Sequence, residues 1–230
     1  MFALAKRYDS ANPTELAARL ETSDDPPVHQ AAYRQLVRTP EWREAVYAVL
    51  PGDLRGSVRD NVTAGEELRK LTAPREELPP WKIVAPPPAD ELRELYDAAS
   101  TEFGVDWTYL AAIHLVETRM GRIRGLSTAG AEGPMQFLPS TWEHYGEGDI
   151  NDPKDAIRAA ARYLVAHGAP SNMDNALFAY NHSDHYVTAV KLYAKQMRSR
   201  EAAYEAFHAW DVYYRTTKGD ALLYVGWANT

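Results

Sequence analysis

The sequence predicts a mainly α protein. Asn, Asp or Thr followed by Pro marks several helix starts, and apolar residues return at spacings of three and four behind them. β-rich runs occur only in the tail, "VYYRTTKGDALLYV", on either side of Lys218-Gly219, where they predict a small C-terminal hairpin.

Residues 1–72 read as a helical accessory unit. Asn12-Pro13, Asp25-Pro26 and Thr39-Pro40 each put a capping side chain before a proline suited to a first helical turn. Leu16 and Leu20, and further on Trp42, Val46 and Leu50, supply spaced apolar residues. None of these segments carries a recognisable chemistry. Residues 73–89, "APREELPPWKIVAPPPA", hold six prolines and neither Gly nor Ser. That composition predicts a semi-rigid, extended linker and the best domain boundary. Trp81, Ile83 and Val84 are too apolar for a free tether and are expected to pack along one of the domains.

Residues 90–230 form the second predicted domain, with a C-terminal extension from about 199. Leu92, Leu95, Tyr96, Ala99 and Phe103 make one helical stripe, and Gly104 can end it. Asp106 caps a helix expected to run to about Met120. Ser140 with Glu143, and Asp152 with Asp155, stand at capping-box spacing. Ile157, Ala160, Ala161 and Leu164 mark a buried face that ends near Gly168. Two more helices are expected over about 172–180 and 184–198. No internal repeat is apparent.

Composition narrows the function. Apolar residues make up 45% and charged residues 25%, an ordinary globular balance. The net charge of −7 disfavours a general nucleic-acid binder, which needs a broad basic surface. No run approaches the roughly 18 apolar residues of a membrane span. Without cysteine there are no disulfides, thiolate metal sites or cysteine nucleophiles. The start, "MFALAKRYDS", has too short an apolar core for a secretory signal, so an exported protein would carry its signal outside this sequence.

The stretch "AAIHLVETRMG" carries one acid, Glu117, in mostly apolar company. On a helical wheel Glu117 shares the arc of Leu110, Ile113 and Met120, while Arg119 points roughly the other way. Burial would raise the carboxyl pKa, as a general acid near neutral pH requires. The same placement suits a structural glutamate paired with His114, Arg122 or Arg124, and the stretch alone leaves both readings open.

Three motifs that begin at this acid are more specific. E-T-x-x-G at 117–121, "STAGAEGPMQFLPSTW" at 127–142 and "AYNHSDHY" at 179–186 come in an order that resembles the lytic transglycosylases. These are lysozyme-like enzymes that cut the glycan strands of bacterial peptidoglycan. The nearest variety is the membrane-bound lytic transglycosylase B type, and the likeness covers about residues 105–195. It implies a lysozyme-like α domain with Glu117 as the single catalytic acid. Ser127 corresponds to a serine near that carboxylate, and Met135, Gln136 and Phe137 to the strip lining the glycan cleft. Tyr180 and Asn181 correspond to residues facing the acid, and Tyr186 to a second tyrosine. Neutral hydrogen-bonding groups beside aromatic faces suit an uncharged sugar chain. Met135, Phe137 and Tyr186 fit a packed core equally well, and Asn181 fits a helix end.

Most glycosidases use two carboxylates. Asp152, Asp155 and Glu143 are accounted for as helix caps, and Glu132 is the only partner acid placed suggestively. The resemblance instead implies substrate assistance. Glu117 would protonate the oxygen of the MurNAc-GlcNAc β-1,4 bond, and the sugar's N-acetyl group would steady the positive charge. Glu117 would then take the C6 hydroxyl proton, closing a 1,6-anhydro ring. The alternatives are a hydrolytic muramidase acting on the same bond and a non-catalytic peptidoglycan-binding module.

No cofactor or metal is called for. His182, Asp184 and His185 do not form a well-marked zinc signature, and the acids of 143–152 lack the EF-hand pattern. Arg119, Arg122 and Arg124 offer positive charge for stem-peptide or lactyl carboxylates, or simply a solvated helix end. The expected partner is the peptidoglycan glycan strand, and the expected location is extracytoplasmic, in the cell wall or periplasm.

Overall fold

The computed structural model describes residues 3–4 and 9–229, so most of the start "MFALAKRYDS" lies outside the described residues. It is mainly α, as expected. The first helices are α1 (Pro13–Thr22), α2 (Pro26–Arg38), α3 (Arg43–Val49) and α4 (Gly52–Leu71), with a 3-10 turn over Pro40–Trp42. Asn12 caps α1 by accepting from the Glu15 N–H at 2.9 Å, and Glu15 reaches back to the Ala11 N–H. Asp25 precedes α2 but makes no side-chain cap bond.

The later helices are α5 (Ala89–Phe103), α6 (Trp107–Thr118), α7 (Pro139–Tyr145), α8 (Pro153–Ala166), α9 (Met173–Asn181), α10 (Asp184–Ser199) and α11 (Glu201–His208). Gly104 ends α5 at φ 71°, and Asp106 and Asp152 cap α6 and α8 through their side chains. Three boundaries depart from expectation. α6 stops at Thr118 rather than near Met120. α7 starts on Pro139 behind Leu138 with no side-chain cap, so Ser140 and Glu143 do not form a capping box; the proline itself sets the first turn. α11, over "EAAYEAFH", lies in the stretch read as an extension; its buried Ala203, Tyr204 and Phe207 show the helical spacing.

Short strands complete the fold. β1 (Ala3–Leu4) pairs antiparallel with β5 (Gly219–Leu223), and β5 pairs in turn with β4 (Val212–Thr216), giving the order β1-β5-β4. β4 and β5 are the expected hairpin, turning on Thr217-Lys218. The linker contributes β2 (Lys82–Ile83), which pairs with β3 (Ile123–Arg124) just beyond α6.

One apolar cluster runs from Leu16, Leu36 and Val62 in the early helices through Leu110 and Ile113 in α6 to Tyr193 and Trp210. α4 lies along α10, where the Ser57 hydroxyl and the Asn61 amide both donate to Gln196 Oε1 at 2.8 Å. A smaller cluster forms where the linker crosses the hairpin, with Ile83 buried against Val212, Ala221 and Leu223. Trp81 stands edge-on to Tyr214, ring centroids 5.4 Å apart. The hairpin is also fixed electrostatically. Asp220, its side chain only 2% exposed, receives Arg34 and Arg38 from α2 and Arg69 from α4. No described helix is long and apolar enough to cross a membrane.

Candidate active site

The site is built around the end of α6. Residues Leu110 to Leu115 are all buried, so this helix runs through the middle of the molecule. Its end is abrupt. Arg119 and Met120 both take left-handed backbone, φ 55° and 58°, and their N–H groups turn back to Leu115 O and His114 O. Such conformations cost non-glycine residues roughly 1–2 kcal/mol each. The Thr118 hydroxyl secures the turn by donating to Pro134 O at 2.6 Å and accepting from the Gly121 N–H.

Glu117, on the last turn, lines a cleft of about 960 Å³. The cleft extends past α6 and α10 to α2, α4, the linker and β4. Withdrawal from water pushes the Glu117 carboxyl up from 4.5 to about 7. The opposing influence is the Tyr186 hydroxyl, which donates to Glu117 Oε1 at 2.8 Å. Both tyrosine hydroxyls near the acid, Tyr180 and Tyr186, are driven well above their ordinary range, first by burial and then by the Glu117 charge. They stay neutral, and among the described residues no cation acts to hold Glu117 ionised.

Of the residues predicted for the site, Glu117, Ser127, Asn181 and Tyr186 line this cleft. Ser127 organises its own loop: its oxygen accepts the Ala129 and Ala131 N–H groups at 3.2 and 3.0 Å. Asn181 is the exposed last residue of α9, and His182 behind it turns left-handed at φ 45°. Tyr186, on α10, is fully buried, its ring parallel to that of Tyr180 with centroids 6.2 Å apart.

Met135, Gln136, Phe137 and Tyr180 are not part of this lining, although Gln136 and Tyr180 are only half-buried. Tyr180 donates its hydroxyl to Met135 O at 2.8 Å, holding the loop. Met135 is fully buried, and Phe137 packs among Trp142, Tyr163 and Tyr180. Gln136 is half-buried with φ 52°, and its amide donates to Gly133 O at 2.9 Å. Gly133 has φ 75°, and a side chain there would run into the Ile150 carbonyl.

The cleft also takes residues that no motif marks. Arg119 lines it although the helical wheel sends it the other way, because the helix ends before it. Tyr193 and Trp210 are buried aromatics of the C-terminal half, and Leu78 and Trp81 come from the linker. The Trp81 indole donates to Leu126 O at 3.2 Å, and Gly125 leaves room for it: a Cβ there would stand 2.7 Å from the indole. A tryptophan in a proline-rich segment was the one sequence signal for this wall.

His114, beside the acid in sequence, is buried without charge. Desolvation takes it down to about 3, and Tyr96 meets its Nδ1 at 2.7 Å. Glu132 is not part of the cleft lining; its backbone pairs with that of Phe137 in the loop. Among the described residues no three His, Asp or Glu side chains gather as a metal would require. His185 instead meets Glu67, Glu147 pairs with Arg162, and Asp155 accepts the Asp149 N–H.

Residues 94–202, from within α5 into α11, match the family described as "Transglycosylase SLT domain". A membrane-bound lytic murein transglycosylase F of Thiobacillus denitrificans is 35% identical over 75 residues, 33% of this chain and 16% of the relative. One of the same name from Alcanivorax borkumensis is 33% identical over 96 residues, 38% of this chain and 20% of the relative. Both relatives carry the F name rather than the B name of the nearest resemblance. The chain therefore spans only a small part of the length of these relatives, and no solved structure matches it. Residues 94–202 of this chain are thus similar to a transglycosylase SLT domain, and the relatives that share the likeness are named lytic murein transglycosylases.

Proposed function

We propose that the chain is a peptidoglycan lytic transglycosylase that cleaves the MurNAc-GlcNAc β-1,4 bond and leaves a 1,6-anhydro-MurNAc end. The observation that carries this reading is the Glu117 carboxyl, on the wall of a cleft within a matched SLT domain, with its pKa raised to about 7. A group so tuned is protonated over much of the neutral range and becomes a competent base once ionised.

The steps follow from one acid. Glu117 gives its proton to the glycosidic oxygen as the C1–O bond breaks. The sugar's own N-acetyl oxygen closes on C1 and holds the positive charge. The Glu117 carboxylate, accepting from the Tyr186 hydroxyl, then takes the C6 hydroxyl proton while O6 attacks C1 and displaces the acetamido oxygen. No water is consumed. Glu132, the partner acid that the sequence suggested, is not part of the cleft lining, which favours a one-acid course over the usual pair.

The substrate lies outside the cytoplasmic membrane, so the protein is proposed to work there. Digestion of purified peptidoglycan, with released fragments weighed by mass spectrometry, tests the chemistry. Anhydro ends, one water lighter than hydrolytic ends, are expected from the wild type and none from Glu117→Gln. Hydrolytic ends alone would make the chain a muramidase, and no release at all would leave a binding module.

A further inference from the structure

Of the three arginines after the acid, two are not part of the cleft lining. Arg122 donates to His208 O at 2.9 Å and faces the Asp211 charge, and Arg124 lies in β3 opposite Lys82. Arg119 is different. It lines the cleft with Glu117 and makes no ion pair among the described residues; its Nε, like that of Arg122, is buried without a hydrogen-bond partner, but unlike Arg122 it has no carbonyl to hold the rest of its guanidinium.

The neighbouring charges do not supply one. Burial lowers the Arg119 guanidinium to about 10; only the Tyr193 hydroxyl favours its charge, while Arg34 and Arg122 oppose it. Asp220 is already shared by Arg34, Arg38 and Arg69. Glu76 and Glu77 line the same cleft from the linker but are exposed and do not act on Arg119. Glu117 is not its partner either, since no arginine holds that carboxyl down. A half-buried cation with an Nε left without an acceptor is costly unless something supplies one. The surrounding wall adds Arg34, Arg69, Arg75 and Arg215 against Glu76 and Glu77, so arginines outnumber acids along this cleft on a chain of net charge −7, although Arg34 and Arg69 are paired to Asp220.

A neutral glycan has no use for such a charge. We propose that Arg119 is a carboxylate-binding residue of the cleft, and that the pocket closed by α2, α4, the linker and β4 receives the acidic branch of a muramic sugar rather than its neutral ring. The guanidinium fork matches a carboxylate with two parallel hydrogen bonds, and Trp210, its ring centroid 5.8 Å from the Arg119 guanidinium carbon, flanks it. This inference rests on the peptidoglycan reading. Two carboxylates fit it, the free lactyl group of a denuded strand and those of the stem peptide.

Titration calorimetry on Glu117→Gln, which removes turnover, compares three ligands: neutral chitotetraose, a denuded glycan tetramer with free lactyl groups, and the same tetramer carrying stem peptides. The expected result is tighter binding of one or both acidic ligands than of chitotetraose, weakening with added salt. Adding Arg119→Gln should cost that ligand about tenfold and chitotetraose less than twofold, with the melting temperature kept. The ligand that loses affinity names the source. If Arg119→Gln perturbs folding, the salt dependence and Arg119→Lys, expected to cost severalfold on the acidic ligand alone, are read instead. Equal affinity for neutral and acidic ligands, or an equal loss on all three, overturns the inference. Anhydro ends from the wild type are assayed separately. If they are missing while the acidic preference holds, the lytic reading fails and the carboxylate site stands.

Discussion

Glu117 and Asp220 are both carboxylates withdrawn from water, one on the wall of the cleft and the other behind it, and they are treated in opposite ways. Around Glu117 burial acts almost alone, and the pKa rises to about 7. Around Asp220 burial also pushes upward, but Arg34, Arg69 and Arg38 outweigh it and hold the carboxyl below its ordinary 3.8. Desolvation is common to both, so the partners decide: three guanidinium groups make a clamp, and one phenol hydroxyl leaves an acid that can still give up its proton.

The contrast is broken most severely at the acid. Glu117→Gln keeps the shape and the Tyr186 contact but has no proton to give. Turnover on peptidoglycan is expected to fall by about a thousandfold or more, within the range for loss of a general acid and base. Thermal unfolding should show no loss of stability, because a costly buried acid is replaced by a neutral amide. At Asp220 the order of effects reverses. Asp220→Asn leaves three arginines facing a neutral amide, and stability should drop by about 3–5 kcal/mol. Denaturant titration reads this as a lower midpoint; an unchanged midpoint would mean that the clamp contributes nothing.

pH separates the two acids without mutation. The folded chain keeps the Glu117 proton that the unfolded chain releases near 4.5, so the folded-state pKa is the raised one. Its contribution to stability is full below about 4.5 and is lost as pH rises through about 7, by up to about 3 kcal/mol. Asp220 has the depressed folded pKa. Its contribution is present above 3.8 and disappears as pH falls through the lower folded value. Stability of Glu117→Gln should therefore stop declining between pH 4.5 and 7, whereas Asp220→Asn should lose part of the acid-side decline. For activity, kcat/KM should fall above about 7 on a single limb. A second limb near pH 4–5, in a range where the chain is still folded, would reveal a second working carboxylate, with Glu132 the first to test.

The same contrast marks what the sequence could say. Glu117 was legible because a lone acid among apolar helix residues is unusual, and the motifs after it are ordered and specific. The helices were legible through Asn12, Asp106 and Asp152, whose caps depend on neighbours two or three residues away. Asp220 was not, because its arginines stand on α2 and α4, more than 150 residues earlier. Arg119 was misdirected for a local reason: a helical wheel assumes that the helix continues, and two left-handed residues end it. Tyr186, read equally well as core or as site, does both, since its ring is buried and its hydroxyl reaches the acid. The cleft's far wall joins residues of the linker, the early helices and the hairpin, and only tertiary packing brings those together.

Tyr186 offers the finest adjustment of the comparison, because among the described residues it is the group that pulls Glu117 slightly toward the behaviour of Asp220. Tyr186→Phe deletes that hydrogen bond while keeping the ring against Tyr180. The ionised form of Glu117 loses a donor and the protonated form loses little, so the carboxyl pKa must move further up. The alkaline limb of kcat/KM should shift to higher pH than in the wild type. At saturation the ring-closing step, which needs the carboxylate, should slow by about fivefold to thirtyfold, or roughly 1–2 kcal/mol for a bond to a charged acceptor. A limb that moves to lower pH would show that the hydroxyl serves the protonated acid instead, and the tyrosine's part in the second step would then have to be abandoned.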